Sequence, residues 1–202
     1  MKRKPDILIF DLSEVIIRGL VGIENEVARK LGIPSDGLLK KFGDQNLREL
    51  CKGNITEQVY LKNLITEFGW NISPFVIQQI LRENFHYIIE NMDVLIERLS
   101  DSYTLYLMSD HAKEWIEYIT KYHEFLTCFK YKVFSFETSV LKSEPESFEY
   151  LIQTYNLNPE ECIFIDDNFN NILIAKSIGF NTLHFKNRAK LVRDLIKYGV
   201  AL

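Results

Sequence analysis

The sequence is poor in cysteine. Cys51, Cys128 and Cys162 form an odd, scattered set, and none lies in a C-x-x-C pair. That spacing speaks against a zinc site and a disulfide framework, and it reads as reduced thiols in a cytosolic protein. Long apolar runs are missing too. No window holds the ~18 consecutive apolar residues of a membrane span. The first residues, MKRKPDILIFDL, are basic, but their apolar stretch is short and broken by Asp11. No small-residue cleavage site follows, so no signal peptide is expected and the location reads as cytoplasmic. Positive charge is not in excess: 24 Lys+Arg stand against 28 Asp+Glu, a formal net charge of −4. A dedicated nucleic-acid binder normally shows a basic stripe, so neither a nucleic-acid nor a membrane partner is expected. Internal repeats, low-complexity tracts and Ser/Gly linkers are also lacking.

What is present is an ordinary globular composition. The 202 residues are 47% hydrophobic and 26% charged. They suffice for one domain, or one domain carrying a sizeable insertion. A monomer or a homodimer is compatible with them. Short apolar runs ending in polar residues predict strands buried on both faces. These are Ile7–Phe10 before Asp11, Tyr103–Met108 before Ser109 and Asp110, Tyr131–Phe136, Cys162–Ile165 before Asp166 and Asp167, and Thr182–Phe185. Helical spacing lies between them. It recurs in Trp115, Ile116, Ile119 and Tyr122, in Phe148, Leu151, Ile152 and Tyr155 after Pro145, and in Ile172, Leu173, Ala175 and Ile178, closed by Gly179 as a C-cap. Strands alternating with helices predict an α/β fold with a Rossmann-like parallel sheet.

The stretch from Ile17 to Leu99 shows no convincing strand. Helices are predicted near Glu24–Leu31, Asp36–Phe42, Thr56–Phe68, Ser73–Ile88 and Met92–Leu99, separated by Gly- and Pro-containing breaks. Ser73 before Pro74 is a good helix start. The simplest organisation is an all-helical insertion at residues 17–88 in an α/β core of residues 1–16 and 89–202.

In an open parallel sheet, ligands bind beyond the carboxyl ends of the strands. Asp11, then Ser109 with Asp110, then Asp166 with Asp167 are delivered to that edge. Converging carboxylates repel unless a cation or proton intervenes. Oxygen donors without Cys or His suit a hard ion, Mg²⁺ above all. Lys142 falls between the third and fourth strand patterns, where it can offset phosphate charge. Singly, each of these reads as well as a turn former, a helix cap or a surface group. In this order, each at a strand end, they point to a site.

These segments resemble the haloacid dehalogenase-like (HAD) superfamily, mainly its phosphatases, over nearly the whole chain. IFDLSEVII resembles the first motif, with Asp11 as nucleophile. LYLMSD resembles the second, with Ser109 as the phosphate-binding hydroxyl. LKSEPESF resembles the third, with Lys142. IFIDDNFNNILIAKSIGF resembles the fourth, with Asp166 and Asp167 as metal-binding acids and Asn171 following. The helical insertion is similar to the family's cap. Within the superfamily the chain is similar to the sugar-1-phosphatase-like branch and to the phosphatase domain of epoxide hydrolases.

The resemblance implies a Mg²⁺-dependent phosphatase that takes a small phosphorylated substrate through an aspartyl-phosphate on Asp11. It implies Mg²⁺ held by Asp11, the Ser13 carbonyl and Asp166, with Asp167 behind them, and a phosphate cradle of Lys142 and Ser109. Three departures stand out. The family's second Asp, its general acid/base, is replaced by Ser13, whose hydroxyl cannot titrate near neutral pH. Loss of such a group typically costs ~10²–10⁴-fold. Substrates with good leaving groups, such as sugar 1-phosphates or acyl phosphates, are therefore expected. Glu14, the other nearby acid, is expected to face the other side of the chain. Asp110 stands where Asn is usual and adds negative charge near the site. Ser143-Glu144-Pro145 follows Lys142 where Lys-Pro is usual. His111 is expected at the site mouth or packed at the start of the next helix. Two other readings stay open: a metal-independent haloacid dehalogenase, and a weakly active or non-catalytic phosphate-ligand binding protein.

Overall fold

The computed structural model describes residues 5–202. The basic start of the chain, read above for a leader, and the first four residues of the expected core lie outside them. Strand β1 (Ile7–Phe10) is followed by five helices: α1 (Ile23–Leu31), α2 (Leu38–Phe42), α3 (Gln45–Cys51), α4 (Glu57–Phe68) and α5 (Pro74–Phe85). Then come α6 (Met92–Ser100), β2 (Thr104–Ser109), α7 (Lys113–Ile119), β3 (Tyr131–Phe134) and a single turn, α8 (Ser135–Thr138). The chain ends with α9 (Glu146–Tyr155), β4 (Cys162–Asp166), α10 (Phe169–Ser177), β5 (Asn181–His184) and α11 (Arg188–Lys197).

The strands form one parallel sheet in the order β3-β2-β1-β4-β5. Its two faces explain the continuous apolar runs. Leu8 and Phe10 face a core shared with α6, α7, α11 and the inserted helices, while Ile9, Met108 and Phe164 face one shared with α9 and α10. Alternate side chains of one strand thus enter different cores, and no position is left for a polar residue until the strand ends. Among the described residues, no helix is long and apolar enough to cross a membrane.

Two of the predicted boundaries move for identifiable reasons. The third strand stops at Phe134 rather than Phe136. There the Ser135 hydroxyl donates to the Cys51 carbonyl at 2.6 Å and accepts from the His111 amide at 3.0 Å, which turns the chain into α8. The helix after Ser73 stops at Phe85 rather than Ile88. Ile88 is instead drawn into an antiparallel bridge with Ile17, flanked by Arg18 N–H to Tyr87 O at 3.0 Å and Ile89 N–H to Ile16 O at 2.9 Å. The chain therefore leaves for the helical segment and returns from it side by side. At the end of α10, Gly179 takes φ +106°, and Phe180 N–H closes onto the Ala175 carbonyl at 3.1 Å. A Cβ would be strained at that φ, which is why glycine follows this helix.

One buried polar cluster ties the inserted helices to the core. The Glu57 carboxylate, on α4, accepts from Arg82 at 2.6 Å and Gln78 at 2.7 Å on α5, and from the Trp115 indole at 2.7 Å on α7. Glu57 is 3% and Arg82 8% exposed. Removing one partner of a buried pair strands the other, at a cost of about 3–5 kcal/mol. Glu57→Ala should therefore lose about 3–5 kcal/mol in urea unfolding, and Glu57→Gln less. A wild-type midpoint for Glu57→Ala would show that the cluster does not hold the helices down.

Candidate active site

The sheet order reverses between β1 and β4, and this is where the acids meet. Phe10 pairs with Ile165, and Asp11 N–H continues the ladder to the Ile165 carbonyl at 2.9 Å. One step further along both strands are Asp11 and Asp166, side by side. Lys142, 3% exposed, enters from the loop after α8, with its ammonium 2.7 Å from Asp11 Oδ1 and 2.7 Å from Asp166 Oδ2. Asp167 completes the cluster: carboxylate oxygens of Asp11, Asp166 and Asp167 lie within 4.8 Å of one another.

Each group is held from behind. Asp11 Oδ1 accepts the Leu12 amide at 2.7 Å. Asp166 accepts from the Asn168 amide at 2.7 Å and from the Asn171 side chain at 3.2 and 3.3 Å. The Lys142 backbone N–H donates to both Asp110 oxygens, at 3.0 and 3.1 Å. Asp110 thus fixes the loop that carries Lys142, which gives the unexpected acid a positioning contact. Glu144 holds the same loop. It accepts from the Leu141 amide at 3.2 Å, from Lys52 at 2.7 Å and from Arg48 at 3.2 Å, both on or beside α3. The Ser-Glu-Pro departure after Lys142 therefore anchors the loop to the helical segment.

The electrostatics follow from this crowding. Burial raises the Asp11 pKa well above the carboxylate range; Lys142 lowers it, while Asp166 and Asp167 raise it further. Asp167 is raised by burial and then by Asp166. Burial opposes the Lys142 charge, but Asp11, Asp166 and Asp110 outweigh it and push the ammonium pKa up. The site thus holds a fixed cation among acids that still lack positive charge. Three oxygen donors with no sulfur or imidazole suit a small hard cation such as Mg²⁺. A second feature fits an oxyanion: Ser109 is 1% exposed, and its Oγ is buried with no hydrogen-bond partner. A buried hydroxyl without a partner is costly, and a phosphate oxygen would relieve it.

Beside the cluster is a cavity of about 340 Å³. Asp11, Ser13, Glu14, Asp110, His111, Lys142, Asp167 and Asn171 reach its wall, as do Leu39 and Leu47 from α2 and α3. Ser109 and Asp166 do not line it. Of the two adjacent acids, Asp167 faces the cavity, while both oxygens of Asp166 are engaged by Lys142, Asn168 and Asn171. Glu14 corrects the expectation made for it. It lines the cavity, at φ +60°, with Oε1 accepting from the amides of Gly19 at 2.8 Å and Val21 at 3.1 Å. Gly19 is required by close approach: a Cβ there would lie 2.7 Å from Ser13 Oγ. His111 both packs and lines the cavity. It meets Phe85 and Trp115 edge-on and sits 2.9 Å from Ser13 Oγ through Nε2. The contributions of Leu47 and Cys51 from α3 had no counterpart among the predicted helices. Their signal was the Asp44 cap, whose carboxylate accepts the Leu47 amide at 3.0 Å, ahead of the Leu47, Leu50 and Cys51 spacing.

In a doubly wound parallel sheet, a ligand site is expected beyond the carboxyl ends of the strands at the reversal point, and the acid–lysine cluster lies there. The chain belongs to the haloacid dehalogenase-like hydrolase family, whose model matches residues 5–179. It is 25% identical over 199 residues to the chloroplast flavin mononucleotide hydrolase 1 of Arabidopsis thaliana, covering 98% of this chain and 80% of that one. It is 26% identical over 164 residues to the D-ribitol-5-phosphate phosphatase of Bacteroides thetaiotaomicron, covering 81% and 71%. A solved HAD family enzyme from Bacteroides thetaiotaomicron, in complex with magnesium and inorganic phosphate, superimposes with TM-score 0.71 at 22% identity, covering 91% and 96%.

His111 generates a stability prediction. Burial, then Lys142 and Arg82, pushes its pKa down from 6.5 to about 3. Between these values the unfolded chain binds a proton that the folded chain does not, so stability falls as pH falls through that window. The slope is at most about 1.4 kcal/mol per pH unit. In EDTA, His111→Gln should flatten the acid limb of urea stability between about pH 6 and pH 4. Parallel limbs for variant and wild type would show that His111 does not titrate in this way.

Proposed function

We propose that this protein is a Mg²⁺-dependent phosphatase of a small phosphorylated metabolite, working through an aspartyl-phosphate on Asp11, with Ser13 in place of the family's general acid. The observation that carries this reading is the position of Lys142, 2.7 Å from both Asp11 and Asp166 at the sheet's reversal point. In this reading residues 17–88 act as a cap over a core of residues 1–16 and 89–202. The unpaired thiols Cys51, Cys128 and Cys162 support a cytoplasmic location.

Asp11, Asp167 and the Ser13 carbonyl would hold the ion at the cavity; Asp166, the acid expected there from the resemblance, has both oxygens engaged by Lys142, Asn168 and Asn171 and would brace Lys142 instead. The bound Mg²⁺ supplies the positive charge that lets a carboxylate approach a phosphate dianion. Asp11 attacks phosphorus, the P–O bond to the leaving group breaks, and an acyl phosphate forms. Lys142 and the Ser109 hydroxyl take up charge on the phosphoryl oxygens. Water then attacks phosphorus, releases inorganic phosphate and restores Asp11. The leaving oxygen receives no proton from a carboxylic acid at position 13. Leaving groups stable as anions, such as those of sugar 1-phosphates and acyl phosphates, are therefore favoured. The names of the two relatives add flavin mononucleotide and D-ribitol 5-phosphate to the substrates worth testing.

A screen of these four substrate types should release phosphate with Mg²⁺ and not with EDTA. Asp11→Asn should abolish release without lowering Tm. Dehalogenation of a 2-haloacid that survives EDTA would replace this reading with a dehalogenase. Binding of Mg²⁺ and a phosphate analogue without turnover would replace it with a non-catalytic binder. Ser13→Asp tests the missing acid directly. It should raise kcat on alkyl phosphates by about 10-fold or more and leave acyl phosphates nearly unchanged. Equal gains on both would exclude leaving-group protonation as the deficit.

A further inference from the structure

We propose that the site selects phosphomonoesters whose leaving group is uncharged or cationic and presents an apolar face, and that it rejects substrates with a second anionic group. This rests on the phosphatase reading and adds a substrate class to it. Away from the acid–lysine cluster, the cavity wall is mostly apolar, with Leu20, Val21, Leu39, Leu47, Cys51 and Trp115, and its other polar side chains are uncharged. A wall of that kind receives hydrocarbon or a ring face, and brings no positive charge to an anion.

The charges on the wall point the same way. Asp11, Glu14, Asp110 and Asp167 line the cavity, and Lys142 is the one lining cation among the described residues. Its ammonium is already shared by Asp11 and Asp166 at 2.7 Å each. Arg48 and Lys52 flank Leu47 and Cys51 in sequence, but both pair with Glu144, at 3.2 and 2.7 Å, and neither lines the cavity. Glu14 is held at the wall by the Gly19 and Val21 amides, so its carboxyl group is fixed in position there. A phosphate is compensated by Lys142 and the metal of the proposed reading. A second carboxylate or phosphate would face fixed acids, apolar side chains and the uncharged polar groups of Ser13, His111, Asn168 and Asn171, with no further cation among the described lining residues. Specificity is set by such repulsion as much as by attraction.

The test uses three aryl phosphates that share a phenol leaving group and differ at the para position: phenyl phosphate, 4-(aminomethyl)phenyl phosphate and 4-carboxyphenyl phosphate. With Mg²⁺, kcat/KM for the carboxylate should be about 100-fold below the other two, since like-charge juxtaposition at a site is strongly unfavourable. Leu47→Lys, which adds a cation to the wall, should narrow that gap by about 10-fold. Comparable turnover of all three overturns the proposal and leaves the phosphatase reading standing. No turnover of any, together with no phosphate release in the four-substrate screen, overturns the phosphatase reading. The selectivity is then read from Tm with phenylphosphonate and 4-carboxyphenylphosphonate, which do not turn over. Stabilisation by the first alone supports the charge selection, and equal stabilisation overturns it.

Discussion

The two ion pairs of Lys142 are the constraint on which the site is built. Parallel pairing of β1 with β4 sets Asp11 and Asp166 on adjacent strands, and strands in a sheet are only about 4.8 Å apart. Two buried carboxylates at that spacing would repel and protonate unless a cation lay between them. Lys142 is that cation, 2.7 Å from each. Its own loop has to be held rigidly to keep it there. Asp110 at the end of β2 takes its backbone amide, and Glu144 takes the Leu141 amide while reaching Arg48 and Lys52. Two acids that look like disturbances of the family pattern thus keep the central ammonium in register.

The same constraint links the core to the inserted helices. Glu144 is bound by Arg48 on α3 and by Lys52 just after it, so the loop carrying Lys142 and the wall carrying Leu47 and Cys51 are joined by the same carboxylate. On the other side of the cavity, Glu57 on α4 holds the indole of Trp115, and Trp115 packs edge-on against His111. His111 in turn meets Ser13, two residues from Asp11. The helical segment is therefore tied beside the cavity by two sets of polar contacts, a partly exposed one at Glu144 and a buried one at Glu57.

Much of this was legible in the sequence, and the limits have physical causes. The strands were readable because both sheet faces are buried, so Ile7–Phe10 and Cys162–Ile165 carry no polar residue until Asp11 and Asp166. The order of Asp11, Ser109, Lys142 and Asp166–Asp167 then pointed to one sheet edge. Helices α3 and α11 were not predicted. Their buried faces are narrow, Leu50 and Cys51 in one and Leu191 and Leu195 in the other, and their starts rest on the single caps Asp44 and Asn187. Glu14 was expected to face the other side of the chain, as it would if the alternation of extended backbone continued beyond β1. A positive φ at Glu14 breaks that alternation and turns the carboxylate toward Gly19 and Val21. The part played by Asp110 was hidden because its partner is a backbone amide 32 residues away.

Position 13 joins these threads. A carboxylate there would stand one residue from Glu14 and two from Asp11, in a cavity that Asp110 and Asp167 also line. The wall already carries four acids against one ammonium, and burial raises the pKa values of Asp11, Glu14, Asp110 and Asp167. A fifth acid would push the group further toward protonation and compete for the charge of Lys142. Serine avoids this, and its hydroxyl meets the buried imidazole of His111, whose depressed pKa keeps it neutral at pH 7. The extra acid of Asp110 and the absent acid at position 13 are thus two sides of one charge balance. Negative charge is spent on fixing the lysine loop, and it is withheld two residues from Asp11, where the Ser13 hydroxyl stands.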